Sequence, residues 1–270
     1  MPFADANGQR LYYELSGEGE PLVCVMGLAT DHLGWLPQMQ AFGAAHRTLV
    51  FDNRDVGQSS YADSDYEISD MAADTLALVD ELELESFHLV GVSMGGAISQ
   101  ELTLAAPERV RTLTLAVTYA GFGEWGRRRA ASRLALAEKT EFEHFVEELL
   151  VLNLSESLFE DNPRLVDLVR QAMHNNPHRQ PPEAFKRQAD ASGRHETRDR
   201  LGSLALPVHV IGAEQDLMVP VWKSKQLAEL IPSAKLTIFD GAPHAVQLER
   251  ADEFNRAVLD FIAEHEPARA

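Results

Sequence analysis

The sequence predicts an α/β protein: a mostly parallel, doubly wound sheet with helices on both faces and a helical cap inserted before the last strands. Three observations predict it. Short apolar runs alternate with amphipathic segments through residues 1–120, helical patterns follow one another without a strand signal through 121–200, and strand–helix alternation resumes over 201–270. Strands separated by helices of ten or more residues need crossovers. Such crossovers make neighbouring strands parallel and put helices on both faces.

The elements follow in order. Residues 22–26 (Leu-Val-Cys-Val-Met) read as a buried strand and 47–51 as the next. Residues 68–82 carry Met71, Leu76, Leu78, Val79 and Leu82 at helical spacing, with Ser69 or Asp70 as the N-cap. Residues 87–90 form a strand, 97–106 a helix stopped near Pro107, and 110–117 a strand rich in β-branched residues. In the cap block, helices are expected over 127–139 and 141–152, and another opens at Asn162-Pro163 with proline at the first helical position. Strands over 207–211 and 235–239 then alternate with helices over 221–230 and 249–264, and the tail 267–270 is expected to fray.

Composition bounds the function. A chain of 270 residues, 45% hydrophobic and 24% charged, can bury a substantial core. Its 42 Asp and Glu against 24 Lys and Arg give a net charge of −18, which repels phosphate backbones and anionic lipid. No nucleic acid or membrane partner is expected, and the field mildly favours neutral or cationic small molecules. The run Arg127-Arg128-Arg129 reads as the solvated start of a helix. Cys24, the single cysteine, sits in an apolar run and reads as a small buried hydrophobe. The first residues show neither a basic nor an apolar leader segment, and no run approaches a membrane span, so a cytoplasmic location is expected. His174 and His178 have metal-pair spacing, but Pro177 breaks the helix they would need. Neither a metal nor another cofactor is expected.

The chemistry starts at Gly91-Val92-Ser93-Met94-Gly95, a G-x-S-x-G placed between a strand and a helix. A turn this tight leaves no room for side chains two residues before and after the serine. It forces the serine into a strained conformation that exposes Oγ, beside the N–H groups of the following helix. No phosphate-loop Lys-Ser/Thr follows, and no G-x-G-x-x-G is present.

A serine hydroxyl needs a base, usually a histidine held by a carboxylate. Beyond Ser93 lie His144, His174, His178, His195 and His209, and then His244 after the last strand. His244 stands in the loop Gly241-Ala242-Pro243-His244 at the carboxyl edge of the sheet, where sites in such folds collect. For the acid, Glu214 and Asp216 both follow the strand over 207–211, with Asp216 preferred. The order Ser93, Asp216, His244 fits the serine–acid–histidine order of the nucleophile-elbow enzymes.

These residues identify a resemblance to α/β-hydrolase fold enzymes of the serine esterase and lactonase branch. Essentially the whole chain takes part, the cap being least specified. The resemblance implies an oxyanion hole made by the backbone N–H groups of Leu28 and Met94. The segment Val25-Met26-Gly27-Leu28 stands where that family has His-Gly, so Met26 replaces the usual histidine. Residues 51–59 resemble the family's D-x-R-G-x-G-x-S turn, with Asp55 in place of glycine and Arg54 in a structural role. The Met-Gly and Asn-Arg-Asp variants are similar to enol-lactonases and polyketide-type methylesterases.

The function implied is cleavage of a carboxylic ester or lactone through an acyl-enzyme. A C–C bond hydrolase or perhydrolase with the same triad, and a non-catalytic ligand-binding homologue, are the alternatives. Specificity is expected from the cap and from the loop after the strand over 110–117. Tyr119, Phe122, Trp125, Phe142 and Phe145 are candidates there for an acyl pocket, though each reads more readily as plain core.

Overall fold

The structure, a computed structural model, describes residues 2–266. The tail 267–270, expected to fray, lies outside the described residues.

An N-terminal hairpin, β1 (Phe3–Ala6) and β2 (Gln9–Ser16), precedes β3 (Pro21–Val25), α1 (Leu36–Gly43) and β4 (Arg47–Phe51). The chain continues through α2 (Ile68–Glu81), β5 (Phe87–Val92), α3 (Met94–Ala105) and β6 (Val110–Ala116). Helices α4 (Gly123–Lys139), α5 (Phe142–Asn153), α6 (Glu156–Asp161), α7 (Pro163–Asn175) and α8 (Pro182–Arg194) then form the cap. The last part is β7 (Val208–Ala213), α9 (Trp222–Leu230), β8 (Ala234–Phe239), α10 (Val246–Glu249) and α11 (Ala251–His265).

Among the described residues the strands form one eight-stranded sheet in the order β1-β2-β4-β3-β5-β6-β7-β8. The pairs β1–β2 and β2–β4 are antiparallel, and every other neighbouring pair is parallel. Period-two alternation explains the two layers. Val23, Leu49, Leu89 and Val210 enter one core with Met71 of α2, Ile98 of α3 and Leu227 of α9. Cys24, Val50, Val90 and Ile211 enter the opposite core with Phe42 of α1 and Val258 of α11. Cys24 is fully buried, and burial pushes its thiol pKa up.

Successive connections wind in opposite directions from β3, which lies between β4 and β5. The carboxyl ends of β3 and β5 therefore flank a crevice at the point where the strand order reverses. The cap leaves and rejoins the core at one place: Gly121 and Glu196 form an antiparallel bridge, and Thr197 N donates to Ala120 O at 2.8 Å.

The expected elements need local corrections. The hairpin β1–β2 and the helices α1, α6, α8 and α10 lie outside the expected elements: α1, α6 and α10 are too short for a helical period to register, and charged residues interrupt the apolar ones in β1–β2 and α8. Helix α2 is capped by Glu67, not Ser69 or Asp70, with the Asp70 side chain accepting from Glu67 N at 2.8 Å. Helix α3 begins at Met94, not residue 97. Gly95 and Gly96 have low helix propensity, but packing overrides it: a Cβ on Gly95 would lie 2.0 Å from Val25 O, and one on Gly96 2.6 Å from Thr118.

Candidate active site

The nucleophile elbow forms at the junction of β5 and α3. Ser93 has φ +56° and ψ −120°, and it is half-buried. A non-glycine residue here is strained by about 1–3 kcal/mol and persists only because its surroundings over-determine it. Its N–H donates to Ala116 O at 2.9 Å, and its carbonyl accepts from Thr118 Oγ1 at 2.6 Å and Gly96 N at 3.0 Å. A Cβ on Gly91 would lie 2.4 Å from Gly95 O, so both outer glycines of the motif are required by close backbone approach.

The loops after β7 and β8 bring in the other two groups, and Gln215 N donating to Ala242 O at 2.9 Å ties these loops together. With the imidazole proton on Nδ1, that atom of His244 donates to Asp216 Oδ2 at 2.7 Å, and Nε2 accepts from Ser93 Oγ at 3.1 Å. Asp216 Oδ1 accepts from Met218 N and Val219 N, each at 2.7 Å. Its carboxylate is thus aimed at the ring by two backbone donors. Glu214, the competing acid, instead accepts from Gly241 N at 2.8 Å and faces solvent. Asp216 and His244 are 5% and 6% exposed, which keeps water from competing for the bond between them.

The loop after β3 completes the wall beside the serine. A Cβ on Gly27 would sit 3.1 Å from Ser93 Cβ, so Leu28 follows directly beside the nucleophile. Met94, the first residue of α3, flanks Ser93 on the other side. Met26 is buried, with its side chain against Gly34, and its carbonyl accepts from Asn53 Nδ2 at 3.0 Å. The loop is therefore anchored through backbone groups without a histidine at this position. Ala29 has φ +61°, and its N–H donates to Gln188 Oε1 of α8 at 3.0 Å.

A cavity open to solvent at its mouth lies between this wall and the cap. Tyr119, Phe122 and Trp125 line it, as do Leu28, Ser93 and Met94. Phe142 and Phe145 are not among its lining residues. Phe145 packs edge-on against Phe185, and Phe142 lies under Arg179, whose guanidinium carbon is 3.5 Å from the ring centre. Both belong to the cap's own apolar clusters, because helical periodicity alone cannot say which side of a thin cap layer a residue faces.

Sequence reasoning missed several neighbours of the site. Phe185, Arg129 and Arg133 also line the cavity. Arg127 and Arg128 are exposed, as expected of a solvated run, but Arg129 turns inward and donates to Met218 O at 2.5 Å and Leu217 O at 3.1 Å. The inward residue directly follows the two solvated ones, and a rotation of about 100° per residue decides which of them faces the cavity, a distinction that charge alone does not signal. Arg54 is structural: it grips Asp74 of α2 with Nε and Nη2 at 2.5 and 2.6 Å, away from the cavity.

The sequence model of the alpha/beta hydrolase fold matches residues 20–251. The chain belongs to the α/β-hydrolase family. A protein named carbamate hydrolase RutD, from Azorhizobium caulinodans, is 30% identical over 98% of this chain and 99% of its own length. One named non-heme bromoperoxidase BpoC, from Mycobacterium tuberculosis, is 30% identical over 94% of this chain and 97% of its own. The enol-lactonase of Burkholderia xenovorans superposes with a TM-score of 0.89 at 26% identity, covering 97% of this chain and 100% of that one. No helix among the described residues is long and apolar enough to cross a membrane.

Proposed function

We propose that this α/β-hydrolase is a serine hydrolase that cleaves a carboxylic ester or lactone through an acyl-enzyme. The observation that carries the reading is the continuous relay from Asp216 through His244 to Ser93 Oγ, at 2.7 and 3.1 Å. His244 Nε2 takes the hydroxyl proton as Oγ attacks the carbonyl carbon. The negative charge that develops on the carbonyl oxygen is met by the N–H groups of Leu28 and Met94. The protonated His244 then gives its proton to the leaving alkoxide, or to the ring oxygen of a lactone. In the second half, His244 draws a proton from water as the water attacks the acyl carbon, and returns it to Ser93 Oγ. Asp216 holds the ring in the required tautomer and stabilises its charged form.

The reading needs a small-molecule substrate and no cofactor, nucleic acid or membrane. The enol-lactonase likeness supports the lactone arm. The relation to a protein named bromoperoxidase keeps perhydrolysis, with peroxide in place of water in the second half, as the competing reaction of the same triad.

The test is a screen of short-chain esters, acyl lactones and enol-lactones beside Ser93→Ala, with fluorophosphonate labelling of the unmodified protein. Adduct on Ser93 and a loss of at least ~10³-fold in turnover are expected. Full activity in Ser93→Ala, or no adduct, overturns the reading.

A further inference from the structure

The chain carries a net charge of −18, yet the charged residues lining the catalytic cavity are Arg129 and Arg133, with no Asp or Glu among the lining residues. Arg129 is occupied: it bonds two backbone carbonyls and lies 4.6 Å over the Trp125 ring. Arg133 is not. Its one polar contact is Nη2 against Met218 Sδ, a weak acceptor, and among the described residues no carboxylate lies within ion-pair distance of it. A guanidinium has five donors in a planar fork, and leaving them in a half-enclosed apolar wall costs free energy unless a ligand meets them.

The carboxylate of the cap that acts on these arginines is Glu148 of α5. Glu148 acts on both arginines electrostatically, but it stands outside ion-pair reach and outside the cavity, with Oε2 buried and unbonded. Asp216 also acts on Arg129, but its oxygens are committed to His244 and to the Met218 and Val219 N–H groups, and it is outside the lining, so Arg133 is left without a carboxylate partner in the cavity wall. Burial, with Arg129 beside it, pushes the Arg133 pKa down to about 10, which still leaves it charged at neutral pH. Local charge therefore opposes the field of the whole surface.

We infer that Arg133 is the anchor of an anion subsite and that the substrate is an ester or lactone bearing a carboxylate on the part that reaches from Ser93 towards the cap. The inference rests on the serine-hydrolase reading for where the scissile carbonyl lies. The subsite itself is a binding property that can be read without turnover. A carboxylate fits the guanidinium fork by paired charge-assisted hydrogen bonds, and a neutral isostere would leave that fork unpaired.

The experiment measures binding of monomethyl esters of the succinate-to-suberate series to Ser93→Ala by calorimetry, each against its neutral dimethyl ester. The expected result is at least a tenfold tighter Kd for the anionic member of one or more pairs. That preference should vanish in Ser93→Ala/Arg133→Gln and survive in Ser93→Ala/Arg133→Lys, with circular dichroism confirming the fold of each. Equal binding of anionic and neutral members throughout the series overturns the subsite, as does a preference that survives Arg133→Gln. Hydrolysis of the same compounds by the unmodified protein reports separately on the hydrolase reading. Charge-selective binding without turnover would sink that reading alone, and turnover without charge selectivity would sink the subsite alone.

Discussion

Arg187 of the cap helix α8 closes a two-pronged ion pair on Asp55 of the core, with Nε to Oδ2 and Nη2 to Oδ1 both at 2.8 Å. Asp55 is fully buried, sits at φ +68°, and also accepts from Tyr66 Oη at 2.9 Å and Ala62 N at 2.8 Å. At a turn position where the α/β-hydrolase pattern has glycine, this chain has a carboxylate that latches the cap.

The latch can be weighed by Asp55→Gly. Glycine relieves a backbone strain of about 1 kcal/mol. It also strands the Arg187 guanidinium and the Tyr66 hydroxyl, and breaking a buried ion pair costs about 3–5 kcal/mol. A net loss of roughly 2–4 kcal/mol is expected in urea unfolding. An unchanged midpoint would show that the pair does not hold the cap.

Asp216 and Glu214 are separable by substitution. Asp216→Asn should lower kcat by about 10⁴, because the amide favours the wrong imidazole tautomer and carries no charge to stabilise the protonated ring. Glu214→Gln, at an exposed hydrogen bond to Gly241 N, should leave kcat within about twofold. Steady-state kinetics on any ester turned over decides between them, and the reverse ranking would reassign the acid.

Gln188 is fully buried and bridges cap to core, accepting from Ala29 N at 3.0 Å and donating to Arg54 O at 2.8 Å. Gln188→Leu leaves both backbone groups buried without that partner, at about 1–3 kcal/mol each. Because Ala29 follows Leu28, turnover should fall roughly tenfold through displacement of the proposed oxyanion donor, less than the ~10²–10³-fold lost when such a donor is removed outright. A stable variant with unchanged kcat would detach Gln188 from the oxyanion loop.

Acid should unfold the protein through histidines that the fold holds neutral. Burial lowers the pKa of His88, His195 and His209 to about 4, from an ordinary value of 6.5. Between these values the unfolded chain binds more protons than the folded one, so stability falls as pH drops from about 6.5 to 4. Above 6.5 the contribution is complete. Urea midpoints across this window should decline, and less steeply in His209→Gln; a midpoint flat down to pH 4 would refute the assignment.

The sequence by itself determined the parallel sheet and the three residues of the relay. Both are written in short-range patterns: an apolar run of four to eight residues can only be a buried strand or a helix core, and the glycines of G-x-S-x-G exist because backbone passes within van der Waals distance of them. It also located Asp216 and His244, since a loop following a buried strand in such a sheet emerges at the site edge. The cap's contribution was decided only in three dimensions. Phe142 faces the cap interior while Phe185 faces the cavity, and Arg129 turns inward while Arg127 does not, because the facing of a helix in a thin layer depends on what packs above and below it. In the sequence Asp55 is a tolerated turn residue and Gln188 one polar residue among many. They became a latch and a bridge only when folding brought residues more than a hundred positions apart into hydrogen-bond distance.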